Sequence, residues 1–160
     1  MRNLTITAVI KVYQFDELSE NDQSLMKEAM EATNRSYAPY SHFSVGAAAR
    51  LTNGITVTGT NQENAAYPSG LCAERTTLFY ANSQYPDQAV KVLAIAARNE
   101  KDFINQPIPP CGACRQVILE TENRYRQPIR ILLYGKECIY EICSICDLLP
   151  LSFDASSMTE

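Results

Sequence analysis

Among its 160 residues the chain has a single histidine, His42. A metal site or catalytic pair built on imidazoles is thereby excluded, and His42 reads as a surface or pocket-rim residue. Basic clusters are missing as well. The formal net charge is -4, and the densest basic stretch, Arg124 to Arg130, spaces its arginines among neutral residues and reads as a solvated helix end. Polynucleotide binders concentrate Lys and Arg to displace counterions from phosphates. Neither nucleic acid nor an anionic membrane surface is therefore an expected partner; a small, roughly neutral molecule is. No apolar run approaches the ~18 residues that a membrane span needs. Met1 to Phe15 alternates (Leu4, Ile6, Ala8, Ile10, Val12) and lacks the apolar stretch of a signal peptide. It reads as an arm or strand, and the expected compartment is the cytoplasm. Repeats, low-complexity segments and linkers are absent too. The expectation is one domain over residues 19–160 behind an N-terminal arm or strand at 1–18, a size that can bury a core without disulfide staples.

What is present begins with six cysteines, Cys72, Cys111, Cys114, Cys138, Cys143 and Cys146. Without a signal peptide, metal binding or reduced thiols fit them better than disulfides. Ser19 with Asp22 three residues on suggests an N-cap, and Leu25, Met26, Ala29 and Met30 follow at helical spacing. That helix should end near Tyr37, because Pro39 disfavours helix in the residue before it. Asn53-Gly54 between Val45–Thr52 and Ile55–Thr60 predicts a hairpin. Further helices are expected over 72–82 and 112–123, strands over 90–98 and 129–134, and a short helix over 143–149 stopped by Pro150. This order predicts an α/β fold with helices covering a mixed sheet.

The chemistry concentrates at two loop-to-helix junctions. Cys111-Gly112-Ala113-Cys114 places two sulfurs three apart at a helix start, on one face, where both can reach one ion. A lone CxxC also fits a redox pair or two buried thiols. Here Pro110 precedes it, and a third cysteine opens Cys72-Ala73-Glu74. Three thiolates with one position left open describe a catalytic zinc site rather than a closed structural one. Soft sulfur suits zinc, and zinc makes hydroxide accessible near neutral pH. Glu74 can also be read as a first-turn acid favoured by the helix dipole. Beside the sulfurs it is a candidate to take a proton from water and return it to a substrate. Three thiolates around a divalent ion leave a net negative centre. Two helix N-termini would offset it, with Arg75 and Arg115 as candidate cationic partners.

The pairing of a His or Cys two before a Glu with a later Pro-Cys-x-x-Cys is the general signature of zinc deaminases. Four stretches sharpen the likeness: APYSHFSVGAA (38–48), TNQENAAY (60–67), CAERTTLF (72–79) and PPCGACRQ (109–116). Over roughly Ser19 to Phe153 the chain resembles the small homotetrameric cytidine deaminases. The resemblance implies a three-layer α-β-α sandwich and one zinc ion per chain on Cys72, Cys111 and Cys114, with Glu74 as the proton shuttle and Arg75 balancing charge. It further implies hydrolysis of cytidine and 2′-deoxycytidine to the uridines and ammonia in pyrimidine salvage, and a homotetramer. Asn61 and Glu63 would bind the ribose; from composition alone they are a polar loop. Phe43 would pack on the pyrimidine, or serve as core. The backbone at Ala73 would meet the base edge, Tyr67 the pocket rim, and Phe153 a neighbouring subunit's pocket. His42 and Pro68–Leu71 depart from the family pattern. Cys138, Cys143 and Cys146 are expected to be buried small hydrophobes. Two alternatives stay open: a structural four-thiolate site closed by one of those three cysteines, or a related deaminase of another aminonucleoside, a nucleotide or a polynucleotide.

Overall fold

The structure, a computed structural model, describes residues 1–158. Strand β1 (Ile10–Tyr13) leads to helix α1 (Glu20–Ala32), followed by the hairpin β2 (Ser44–Leu51) and β3 (Thr56–Thr60). Then come α2 (Ala73–Gln84), β4 (Val90–Arg98), α3 (Gly112–Tyr125), β5 (Arg130–Tyr134) and β6 (Ile139–Ile142). The six strands form one sheet in the order β1-β6-β5-β4-β2-β3. Only β4 and β5 run parallel, joined through α3, and every other pairing is antiparallel. The sheet is mixed, as expected.

Side-chain alternation along the central strands assigns the two faces. Ala48, Val92, Ala94, Ala96 and Leu132 pack with Leu25, Met26 and Ala29 of α1. Ala47, Ala49, Leu93, Ile95, Ile131 and Leu133 pack with Leu78 and Ala81 of α2 and Ile118 and Leu119 of α3. The result is the three-layer α-β-α sandwich. Small residues let the helices settle close. A Cβ at Gly59 of β3 would stand 2.7 Å from the Thr77 backbone nitrogen, so glycine here seats α2 directly on the sheet. At the hairpin, Gly54 takes a left-handed φ of 86°, the conformation that Asn-Gly turns supply.

Several expectations are corrected. The helix from Ser19 ends at Ala32, and a single 3-10 turn (Thr33–Arg35) carries the chain toward Tyr37. The expected helix over 143–149 is instead one 3-10 turn, Ile145–Asp147, preceded by the unforeseen strand β6. Cys143 and Cys146 are exposed and Cys138 is half-buried, so none of them is a buried hydrophobe. Arg124 and Arg126 are exposed. Arg130 is not a solvated end: it donates to Asp22 Oδ1 and Glu141 Oε2, each at 2.7 Å. Residues 10–13 are a true edge strand on β6, held by Lys11 Nζ on Glu141 Oε1 at 2.9 Å. No helix among the described residues is long and apolar enough to cross a membrane.

Candidate active site

Two helices on the same face of the sheet begin beside one another. Cys72 is the N-cap of α2 and Cys111 the N-cap of α3, both in extended conformation. Cys114, one turn into α3, is fully buried. The Sγ atoms of Cys72 and Cys111 are 3.8 Å apart, and those of Cys111 and Cys114 are 3.4 Å apart. All three sulfurs lie within 4.8 Å of one another. Two thiolates on one tetrahedral zinc at ~2.3 Å would stand ~3.8 Å apart, so the donor set fits that ion in both chemistry and spacing. Among the described residues no further Cys, His, Asp or Glu ligand atom joins the cluster. A closed four-thiolate site therefore has no support.

The sulfurs also show why a cation suits them. The Cys72 thiol is brought down to about 5 by hydrogen bonding with Cys114, against the opposing effect of burial and with help from Arg75 and Cys111. Cys114 is pushed the other way by its contact with Cys72, by burial and by the nearby Glu74. Three thiols this close cannot all ionise unless a positive centre joins them. Arg75 supplies part of that charge: Nη2 lies 3.9 Å from Cys72 Sγ and donates to Gly70 O at 3.3 Å. Its Nε is buried without a partner.

Glu74, in the first turn of α2, is only 5% exposed. Burial raises its carboxyl above the ordinary range, and the Cys72 charge adds to the rise. It lines the same cavity as Cys72 and Cys111 yet stands outside the sulfur cluster.

The cavity, of about 770 Å³, is closed on its other side by Phe43, Asn61, Glu63 and Tyr67. Backbone pairing brings this wall to the sulfurs. Gln62 and Leu71 exchange two hydrogen bonds, at 2.8 and 2.9 Å, one residue before Cys72. On the opposite edge Tyr37 N–H donates to Asn61 O, and Glu63 N–H to Tyr37 O. Asn61 also latches the fold: its Oδ1 accepts from Ser36 Oγ and Val45 N–H, and its Nδ2 donates to Phe43 O at 2.8 Å. One Nδ2 proton remains beyond these bonds. Glu63 accepts from Tyr40 N–H at 2.9 Å and from the Ser41 hydroxyl and N–H. These bonds, led by that of the Ser41 hydroxyl, hold its carboxyl below the usual range.

The remaining site candidates divide. Tyr67 stands at the rim, edge-on to Tyr40 with ring centroids 6.5 Å apart. Ala73 is fully buried in the core and is not among the residues that line the cavity. Phe153 is exposed and lies away from its own chain's cavity, its carbonyl accepting from Gln116 Nε2 at 2.8 Å. His42 is exposed, at a left-handed φ of 53°, with Nδ1 3.5 Å from Glu100 Oε1. Sequence reasoning missed the walls formed by Tyr40, Ser41, Ile108 and Pro109. Their only signal was adjacency to Phe43 and to Cys111.

Comparison with known proteins agrees with this geometry. Residues 19–126 match the family model for the cytidine and deoxycytidylate deaminase zinc-binding region. A cytidine deaminase of Halalkalibacterium halodurans is 37% identical over 86% of this chain and 98% of that protein. One from Mycobacterium tuberculosis is 41% identical over 81% of this chain and 86% of that protein. Among solved structures, a cytidine deaminase from Burkholderia pseudomallei superposes with a TM-score of 0.71 at 34% identity, covering 85% of this chain and all of that one.

Proposed function

The chain belongs to the cytidine and deoxycytidylate deaminase family, and from that premise we propose that it hydrolyses cytidine and 2′-deoxycytidine to the corresponding uridines and ammonia, in pyrimidine salvage. The observation that carries this reading is a buried Glu74 sharing one cavity with three clustered sulfurs and the Asn61–Glu63 wall. Cys72, Cys111 and Cys114 would hold one zinc ion per chain. When bound, zinc supplies Lewis acidity and makes hydroxide available near neutral pH.

The chain's own groups do the rest. Asn61 offers its spare Nδ2 proton, and Glu63 an acceptor, to a sugar hydroxyl. A site that reads the 3′-hydroxyl accepts ribose and deoxyribose alike. Phe43 packs on the pyrimidine, Tyr67 covers the rim, and the backbone at Ala73 meets the base edge. Glu74 takes a proton from water and places it on ring N3 as C4 gains the hydroxyl. It then carries the proton of the C4 hydroxyl to the amine; the C4–N bond breaks as the C4 carbonyl forms, so that one water is consumed and one ammonia released. Its raised carboxyl suits a group that must hold a proton between two transfers. Arg75 offsets the thiolate charge.

The same reading places residues 19–160 in one catalytic domain with 1–18 as an accessory arm. It places the protein in the cytoplasm as a homotetramer in which Phe153, exposed and not among the residues lining its own cavity, reaches a second copy's. Cytidine, 2′-deoxycytidine, CMP and single-stranded DNA should be assayed side by side by ultraviolet absorbance, with metal analysis of the same preparation. Turnover of the two nucleosides alone, with one zinc per chain, is expected. Preference for CMP or DNA would reassign the substrate, and a metal-free active preparation would overturn the site.

A further inference from the structure

The two arginines that follow the ligand segments behave alike in one respect and differ in another. Each reaches back over the first turn of its helix to the carbonyl of the segment leading into a cysteine. Arg75 Nη2 donates to Gly70 O, two residues before Cys72, at 3.3 Å. Arg115 Nε donates to Pro110 O, immediately before Cys111, at 2.8 Å. Arg75 then turns to a sulfur. Arg115 turns outward, and its Nη1 donates to Leu148 O at 2.6 Å. No carboxylate pairs with Arg115 among the described residues. Its guanidinium is spent on two main-chain carbonyls, so it is not the direct cationic partner of the sulfurs that its place in the sequence suggested.

We propose that Arg115 is a positioning residue that braces the sulfur-bearing loop Pro109–Cys111 against the C-terminal segment at Leu148. This rests on the reading that the three sulfurs hold zinc. Cys111 is exposed and lies at the N-cap, outside the regular turns of α3. Neither Pro109 nor Pro110 has an N–H with which to anchor this stretch. The helix itself secures the loop at one point, Arg115 N–H on Cys111 O at 2.9 Å. The side chain of the same residue secures the next peptide outward and ties it to a segment 33 residues away in sequence. A guanidinium can do this because Nε and Nη1 donate from one rigid plane in fixed directions; an ammonium offers no such fork. The other end of the brace is itself fixed. The buried Glu122 of α3 accepts from Ile145 N–H, at 3.1 Å, and from Ser144 Oγ, at 2.9 Å, three to four residues before Leu148. Residues that orient metal ligands in this way typically change metal affinity by about 10–100-fold when removed.

The test uses zinc-loaded, full-length protein and reads zinc transfer to a chromophoric chelator at a temperature where circular dichroism shows every variant folded. Arg115→Ala should release zinc about tenfold faster or more. Arg115→Lys, which keeps the charge and stem but not the fork, should fall between it and the wild type. Glu122→Gln loosens the same C-terminal segment without touching Pro110. Because it frees the far end of the brace and leaves the Arg115–Pro110 bond in place, it should lower the melting temperature and speed zinc release, but by less than Arg115→Ala. Wild-type release from Arg115→Ala, or release from Glu122→Gln faster than from Arg115→Ala, would overturn the brace while leaving the zinc site intact. A wild-type protein that binds no zinc would remove the site reading itself, and the brace with it.

Discussion

Asp22 and Glu74 both lie in the first turn of a helix, and both are 5% exposed. Yet their carboxyls move in opposite directions. Burial alone would raise Asp22, but hydrogen bonds from Arg130 and Ser19 and the charges of Arg130 and Arg50 outweigh it and hold the group below its ordinary value. Burial raises Glu74 and the neighbouring Cys72 charge adds to the rise, while its own backbone N–H, Cys114 and Arg75 pull it down without prevailing. Equal surface exposure therefore does not define a role; the deeper seat of Glu74 and the partners of Asp22 do. Asp22 is fixed as an anion that pins α1 to β5. Glu74 is held above its ordinary value, which suits the proton shuttle proposed for it. The helix caps repeat the contrast. Ser19 caps α1 by accepting from Asp22 N–H at 3.2 Å. Cys72 and Cys111 cap nothing with their side chains, although Ser, Thr, Asp or Asn is the favoured choice there. At α2 and α3 local stability has yielded to sulfur chemistry.

The sharpest way to break this comparison is Glu74→Gln. It keeps the shape and the sulfurs but cannot shuttle a proton, so kcat should fall by about 10²–10⁴-fold while zinc content stays at the wild-type level. Turnover within a few-fold of wild type would remove Glu74 from the mechanism.

The Asp22 half is tested by Arg130→Met. The folded value of Asp22 is depressed, and that of Glu141 is too: burial pushes it up, but Lys11 and Arg130 prevail. For a depressed carboxyl, the stabilisation is present above the unfolded value of about 4 and is lost as the pH falls through the folded one. Urea midpoints should show the wild type weakening below about pH 4. Arg130→Met should be less stable at pH 7, by about 1–3 kcal/mol once partial exposure of the guanidinium is discounted, and flatter in acid. Parallel pH curves for the two proteins would show that the ion pairs contribute nothing.

The smallest effects come from exchanging the caps. Ser19→Ala should cost about 1 kcal/mol with activity unchanged. Cys72→Ser should lose zinc and turnover, yet its metal-free form should be more stable than the metal-free wild type by up to about 1 kcal/mol, because a hydroxyl can cap where the thiol does not. Melting both proteins after chelation checks this. A weaker serine variant would mean that Cys72 serves the helix as well as the metal.

Most of the fold was legible because it rests on short-range patterns. The Asn53-Gly54 hairpin, the apolar run over 90–98 and the helix starts at Ser19, Cys72 and Cys111 are each written within a few residues. β6 was not legible, because Glu141 interrupts Ile139–Ile142 and a charge argues against a buried strand. Tertiary structure removes the objection by bringing Lys11 and Arg130 to that carboxylate. The exposed Cys143 and Cys146 were misread for the same kind of reason: a thiol's burial depends on what covers it, and spacing is silent on that. At the candidate site, the three cysteines and Glu74 could be proposed from spacing and resemblance, and the structure brings the sulfurs together. The engagement of Asn61 in holding Phe43 and Val45, and the seating of Glu63 on the Tyr40–Ser41 turn, could not.

By itself the sequence named the candidate residues for the proposed chemistry, and determined that Cys111 and Cys114 share a helix face, since three residues span one turn. Only the folded sheet decided that Cys72, 39 residues from Cys111, meets it at 3.8 Å, that Asp22 finds two arginines where Glu74 is left to burial, and that Arg115 turns to Leu148 rather than to sulfur. Those outcomes depend on which strands are neighbours and on which helices share a face. Contacts of that range are set by burial of the whole core, and no local stretch of sequence encodes them.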